Sequence, residues 1–484
     1  MIAFLSLLPC AAVIVAVLAL RLSALSASII ALVTAMALWA LGIFSPIQLD
    51  QLGNAVTDAL VLELLVGVVV YFGLLFVEVS SRGGGLGALG NAIQTLRLSP
   101  PKAVILITVG IGVMLESLTG YGVSMLVTVP LLLQIVSRTK TICLALIGMS
   151  LMSWGALSVA ALLGAELSGL TTEALAAAIL TTSGPIALVL PLFCLLIIQN
   201  VNLRDVVYAL CAGGVLVSGI ALTSRWIGVE VAGVGGGLAV ILFSLVFSMS
   251  KQNLGKALTA PAILPYGLLI AGVVLQKIIV PYLYAMGLAP VIDTGRVSFH
   301  VLQSPGIALL VISLLCLLLQ SNSTRSKSGQ PLFQHVTARS WRALASILFF
   351  LITARLLVEI GGIAALSGLM SQLGLYPAVA LITVLGGIGA YATGSGVTAV
   401  ALFMPSAAAT GEGFDALALF AALQHSGAAH VAMASLPVIA ILLAALPDRD
   451  AADEQIAIRT GLGLAAIWIL FVIASGATQL AMTR

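Results

Sequence analysis

Apolar runs of about 20 residues recur along the whole 484-residue chain. A run of that length is what a helix needs to cross a hydrocarbon core of roughly 30 Å. The runs lie at 2–20, 24–44, 60–79, 103–136, 141–164, 174–198, 205–223, 229–249, 262–285, 301–320, 343–360, 377–410, 416–446 and 457–480. Only 8% of the residues are charged and 61% are hydrophobic, whereas a soluble domain carries roughly a quarter charged. No alternating strand pattern points to a barrel. The expected class is an all-α polytopic membrane protein with about 12–14 transmembrane segments, forming a single transmembrane domain over residues 1–484. The lipid bilayer is its first partner. A net charge of +3 gives no basis for binding nucleic acid. The first twenty residues lack a basic leader, and Arg21 follows them, so they are read as a retained first helix. The five cysteines all fall in apolar runs and are read as small core residues.

Two of the runs, 103–136 and 377–410, are 34 residues long, too long for one span and short for two. The run 416–446 is also overlong. Such lengths predict broken or re-entrant helices. The two 34-residue runs also resemble each other. One contains 105-ILITVGIGVMLESLTGYGVSMLVTVP-130 and the other 380-ALITVLGGIGAYATGSGVTAVALFMP-405. Ile107-Thr108-Val109 answers Ile382-Thr383-Val384, and each run then carries T-G-x-G-V-[ST] at an offset of 274 to 275 residues. Upstream, 75-LFVE-78 answers 356-LLVE-359.

Basic loops mark the cytoplasmic side. Arg21, Arg82, Arg97, Lys102, Arg138, Lys140, Lys251, Lys256 and the loop 321–342 lie on that side by this rule, whereas the acidic loops Asp50–Asp58 and Glu412–Asp415 lie opposite. The loop 447–459 has mixed charge and takes no side. The two similar runs then point opposite ways. Two inverted repeats are expected, at 60–250 and 343–484, each with a broken or re-entrant segment. That pattern is a transporter signature, with the substrate near the midplane.

Unwound backbone at membrane depth must be buried in protein or line a wet cavity. A half-helix starting after Gly122 or Gly396 presents free N–H groups and a positive dipole end, which suit an anion. Thr119, Ser124, Thr393, Ser395 and Thr398 add hydroxyls beside Gly120, Tyr121 and Gly394. These residues form the expected substrate site. Glu116 stands just before the first break. A carboxyl at that depth is costly and points to function by default; here the expected role is proton coupling. His425 is the second candidate for handling the proton, beside His430 in 423-LQHSGAAHVAMASLP-437. Arg355 has two readings. It pairs with Glu359 one turn later, or it receives a substrate carboxylate in a bidentate contact. Glu78 with Arg82 is read as structural, and Lys277 as a snorkelling side chain. No metal site, cofactor motif or phosphate loop is present, which argues against an ATP-driven pump or a redox carrier.

These motifs resemble those of the L-lactate permeases, which are lactate/glycolate:proton symporters. The family's L-E-G-x-A-G-[FY]-G-[TA]-P is matched by 115-LESLTGYGVS-124, and its F-G-A-L by 154-WGAL-157. Its G-x-x-x-T-G-S-[ND]-T is matched by 389-GAYATGSGVT-398, and its later L-Q by 423-LQ-424. Gly396 stands where the family carries Asn or Asp, and Ser124 where many members carry Pro. The resemblance implies a bacterial inner-membrane carrier of small 2-hydroxymonocarboxylates, L-lactate or glycolate, coupled to protons. It places Gln424 in the substrate site. It also implies kinship with transporters that shift a hairpin-bearing domain as a rigid body. The main alternative is a sodium-coupled di- or tricarboxylate or other organic-anion transporter, with unwound carbonyls holding the cation. A channel or an intramembrane enzyme is a more distant reading, and the sequence offers no nucleophile or metal constellation for the enzyme. It leaves the oligomeric state open, a homo-oligomer included.

Overall fold

The computed structural model describes residues 5–82, 98–120, 122–199, 201–248, 264–319 and 331–483. Tyr121 and the basic residues Arg97, Lys251, Lys256, Arg325 and Lys327 lie outside the described residues. In chain order, α1 spans Leu8–Ile14, α2 Ala24–Ala40, α3 Leu49–Arg82, α4 Pro100–Thr119 and α5 Met125–Leu132. Next come α6 Arg138–Gly148, α7 Val159–Ser168, α8 Thr172–Ile198, α9 Leu203–Trp226 and α10 Ala232–Ser248. α11 spans Leu264–Ala285, and a small hairpin follows, with β1 at Val291–Asp293 and β2 at Ser298–His300. The remaining helices are α12 Pro305–Leu319, α13 Leu332–Glu359, α14 Gly362–Leu373, α15 Leu375–Thr393, α16 Gly396–Gly413, α17 Leu417–Val431, α18 Leu436–Ala444 and α19 Ala451–Thr483.

Among the described residues, ten helices are long and apolar enough to cross a membrane. Shorter apolar helices account for further expected segments: α2 has 17 residues and α12 has 15. Polar caps set several boundaries. Ser23 accepts from the Ser26 N–H, Thr171 accepts from Ala174, and Asn202 with Asp205 closes a capping box at the start of α9. Each such cap stabilises its helix by about 0.5–2 kcal/mol. Large aliphatic side chains such as Leu196, Leu210, Leu275, Leu318 and Leu470 point outward and stay exposed. A hydrocarbon solvent suits that surface and water does not.

All three overlong runs are broken. The run 103–136 divides into α4 and α5, 377–410 into α15 and α16, and 416–446 into α17 and α18. A fourth break, between α6 and α7, falls in a run of ordinary length. There Ala156, Leu157 and Ser158 take left-handed φ values of 47°, 52° and 54° in succession, a conformation that costs a non-glycine residue about 1–2 kcal/mol. The Ser158 hydroxyl donates to the Val229 carbonyl at 2.7 Å and helps to hold the turn.

The broken helices pack together. α17 lies against α15, α16, α8 and α19, and α7 lies against α16. A second group joins α3 to α12 and α13, with α2 on α13. α10, which carries 232-AGVGGG-237, packs on α4; small residues allow that close approach. The ends of the helices are tied by charge. Arg138 donates to Asp453 at 2.8 and 2.6 Å and to the Asp448 carbonyl at 3.1 Å. The mixed-charge loop that the sequence left unplaced is therefore on the Arg138 side. Glu78 accepts from Arg82 at 2.8 Å, as expected from their spacing.

Candidate functional site

Each T-G sequence turns the chain out of a helix. At the first, the Gly120 N–H donates to the Glu116 carbonyl at 2.7 Å, and the Thr119 hydroxyl donates to Leu115 at 2.6 Å. At the second, the Gly394 N–H donates to Ala390 at 2.9 Å, and the Thr393 hydroxyl donates to Gly389 at 2.8 Å. Both glycines have positive φ, +66° and +74°. Each leans on the other break of its own half: a Cβ on Gly120 would lie 2.6 Å from the Ala156 Cβ, and one on Gly394 would lie 2.7 Å from the Pro437 Cγ.

The two breaks differ in how their amides are satisfied. Glu116 is 2% exposed. Its Oε1 accepts from the Gly122 N–H at 3.1 Å, and its Oε2 accepts from the Ser124 hydroxyl at 2.7 Å. The Ser124 oxygen also lies 3.3 Å from the Met149 sulfur. The first break is thus folded around a carboxyl of its own chain. At the second break Ser395 caps α16, accepting from the Thr398 N–H at 3.3 Å. The position matching Glu116 is Ala390. Among the described residues no side chain of that kind reaches Gly396 and Val397, whose N–H groups open the helix without an intrahelical acceptor.

The breaks meet at one small cavity. Gly120, Met152, Gly155 and Ala156 line it from one half of the chain. Gly394, Ser395, Gly396, Val397 and His425 line it from the other. Its open volume is about 30 Å³, on the scale of one or two waters. Admitting a larger molecule requires the breaks to move apart. His425 is fully buried, and its Nε2 lies 3.1 Å from the Ser153 carbonyl. A carbonyl only accepts, so Nε2 carries the proton and Nδ1 is left as an acceptor. That Nδ1 is buried and has no partner among the described residues.

The other expected residues sit as follows. Gln424 is buried beside α16, with its Nε2 donating to the Ala399 carbonyl at 3.1 Å and its Oε1 unpartnered. His430 does not line the cavity; it hydrogen-bonds the Ser150 carbonyl and the Ser183 hydroxyl, the latter at 2.8 Å. Ser183 continues to Ser426 at 2.9 Å and to Ser153 at 3.0 Å. Arg355 is not at the cavity and does not pair with Glu359. It donates to Asp58 at 2.9 Å, Asp58 also accepts from the Thr294 hydroxyl at 2.6 Å, and Glu359 pairs with Arg296. The hairpin between α11 and α12 supplies Thr294 and Arg296, so one i,i+4 pair is replaced by two long-range ones. Lys277 likewise forms an ion pair, 2.6 Å from Glu230, where snorkelling was expected. Together with Glu166, Glu173 and His300 it lines a second cavity of about 190 Å³.

Sequence reasoning missed the α6–α7 break and the serines around it. Ser150, Ser153 and Ser158 in an apolar run were the available signal. A family model described as L-lactate permease matches residues 2–289, a stretch that includes the first T-G break and the α6–α7 break. Comparison with curated proteins gives no match. More than half of the chain fits that family, and its helices span a membrane many times: this multi-pass helical membrane protein belongs to the L-lactate permease family.

Proposed function

We propose that the protein is a secondary active transporter, a proton-coupled symporter of L-lactate or glycolate in the bacterial inner membrane. The observation that carries this reading is the meeting of both T-G breaks and His425 at one small cavity. Unwound backbone at that depth is suited to lining a small-anion site. The two breaks belong to repeats, 60–250 and 343–484, set in opposite orientation. Thr119, Gly120, Gly122, Ser124, Thr393, Gly394, Ser395, Gly396, Thr398 and Gln424 build the site, some of them only by shaping the breaks. Tyr121 is proposed there on its place in the motif.

Proton coupling falls to Glu116 and His425. An ionised Glu116 is an acceptor only and grips both Gly122 and Ser124. A protonated one gives up part of that grip, so a proton loosens the first break. In proteoliposomes free of sodium, an inward proton gradient is expected to drive accumulation of labelled L-lactate, and a protonophore to collapse it. Accumulation that requires sodium, or that reaches only equilibration, overturns the symport reading. Glu116→Gln is expected to abolish gradient-driven accumulation while lactate exchange stays measurable. Accumulation equal to that of the unaltered protein removes Glu116 from the coupling.

A further inference from the structure

We infer that the two breaks divide the work. The first carries its own carboxyl, Glu116, and the second is the seat for the carboxylate of the substrate, whose 2-hydroxyl donates to Nδ1 of His425. The inference rests on the reading of the protein as a carrier of a small 2-hydroxy acid, and it assigns each end of that acid.

Matching positions in the two breaks carry the argument. Gly120, Gly122 and Ser124 correspond to Gly394, Gly396 and Thr398. In the first break a carboxyl occupies the turn, accepting from Gly122 and Ser124 at 3.1 and 2.7 Å. The first break thus shows a carboxyl held by an amide and a hydroxyl of a T-G break on this same chain. In the second break the residue four before the glycine is Ala390 instead of Glu116, so the turn lacks that occupant. It opens α16, a helix of 18 residues, whose first N–H groups and dipole favour an anion.

A second observation is independent of the helix end. His425 lines the same cavity as Ser395, Gly396 and Val397. Its Nε2–H is committed to the Ser153 carbonyl at 3.1 Å. Its Nδ1 is a fully buried acceptor with no donor, and a buried polar atom of that kind normally finds a partner. A donor that enters together with an anion meets the need. The hydroxyl on the carbon next to a carboxylate is such a donor. The wall at Gly396 is open: a Cβ there would meet only Ala429, at 3.8 Å, and Ala429 lines the cavity too.

The test is equilibrium binding to the purified full-length protein, with labelled L-lactate and with propionate, which lacks the hydroxyl. The unaltered protein is expected to prefer L-lactate by about 10–100-fold, the worth of one buried hydrogen bond. His425→Gln keeps an amide donor for Ser153 and moves the remaining acceptor, its amide oxygen, away from the Nδ1 position. It is expected to reduce the preference for L-lactate over propionate to within about threefold. Gly396→Ala puts a methyl into the carboxylate seat and clashes with nothing. It is expected to weaken both acids by at least about tenfold with the melting temperature unchanged. A preference that survives His425→Gln, or binding of both acids that survives Gly396→Ala, overturns the assignment and leaves the transport reading intact. An unaltered protein that binds neither acid overturns the 2-hydroxy-acid reading itself.

Discussion

Replacing Arg355 with alanine is expected to destabilise the protein by about 3–5 kcal/mol, the usual cost of stripping the partner from a buried charge. Asp58 is the charge left behind. Its side chain is 2% exposed, and it would keep only the Thr294 hydroxyl as a donor. The affinity for L-lactate should change little, because Arg355 lies outside the cavity where the breaks meet. Thermal unfolding of the detergent-purified protein and lactate binding, measured on the same preparation, check both halves. Asp58→Ala together with Arg355→Ala should recover much of the lost stability, since no charge is then stranded. A stable Arg355→Ala protein that no longer binds lactate would instead make this arginine a substrate contact.

Gly120→Ala is expected to be comparably damaging. The backbone there has φ +66° and ψ −174°, a region occupied essentially by glycine, and a side chain forced into it costs about 1–3 kcal/mol. The added methyl also meets the Ala156 Cβ at 2.6 Å, which adds an overpacking cost of about 1–3 kcal/mol. Ala156 cannot easily retreat, being itself in a left-handed turn. Gly463→Ala is the control. It lies within α19 with nothing within 4 Å of its Cβ and should be neutral or stabilising by up to about 1 kcal/mol. Yield and melting temperature of the two variants give the comparison, and a Gly120→Ala protein as stable as the control would refute the close packing of the breaks.

Some of this was legible in the sequence and some was not. Apolar length gave the class, because lipid leaves the backbone few choices. The overlong runs and their glycines gave three of the four breaks. The break at Ala156–Ser158 was hidden because no glycine or proline stands at its left-handed residues; it is imposed by packing against Gly120 and by the bond to Val229. The T-G residues were findable because they recur. The standing of Glu116 and His425 within the site was less so. Glu116 bonds forward by six and eight residues across a turn, and His425 bonds Ser153, 272 residues away. Arg355 shows the same limit. Spacing offered Glu359, and the fold brought Asp58 from α3, 297 positions distant, into reach.

The carboxyl of Glu116 has one more effect. A turn stitched by its own acid does not wait for a ligand to take shape. Fixing one residue's backbone costs about 1–2 kcal/mol in lost freedom, and for residues such as Gly122 and Ser124 that loss is met when the protein folds. On the proposed reading of the site, association then has only the opposite wall to settle. A molecule of few atoms has little affinity to spend on rigidifying its surroundings, and a site built as proposed would ask it to do so on one side alone.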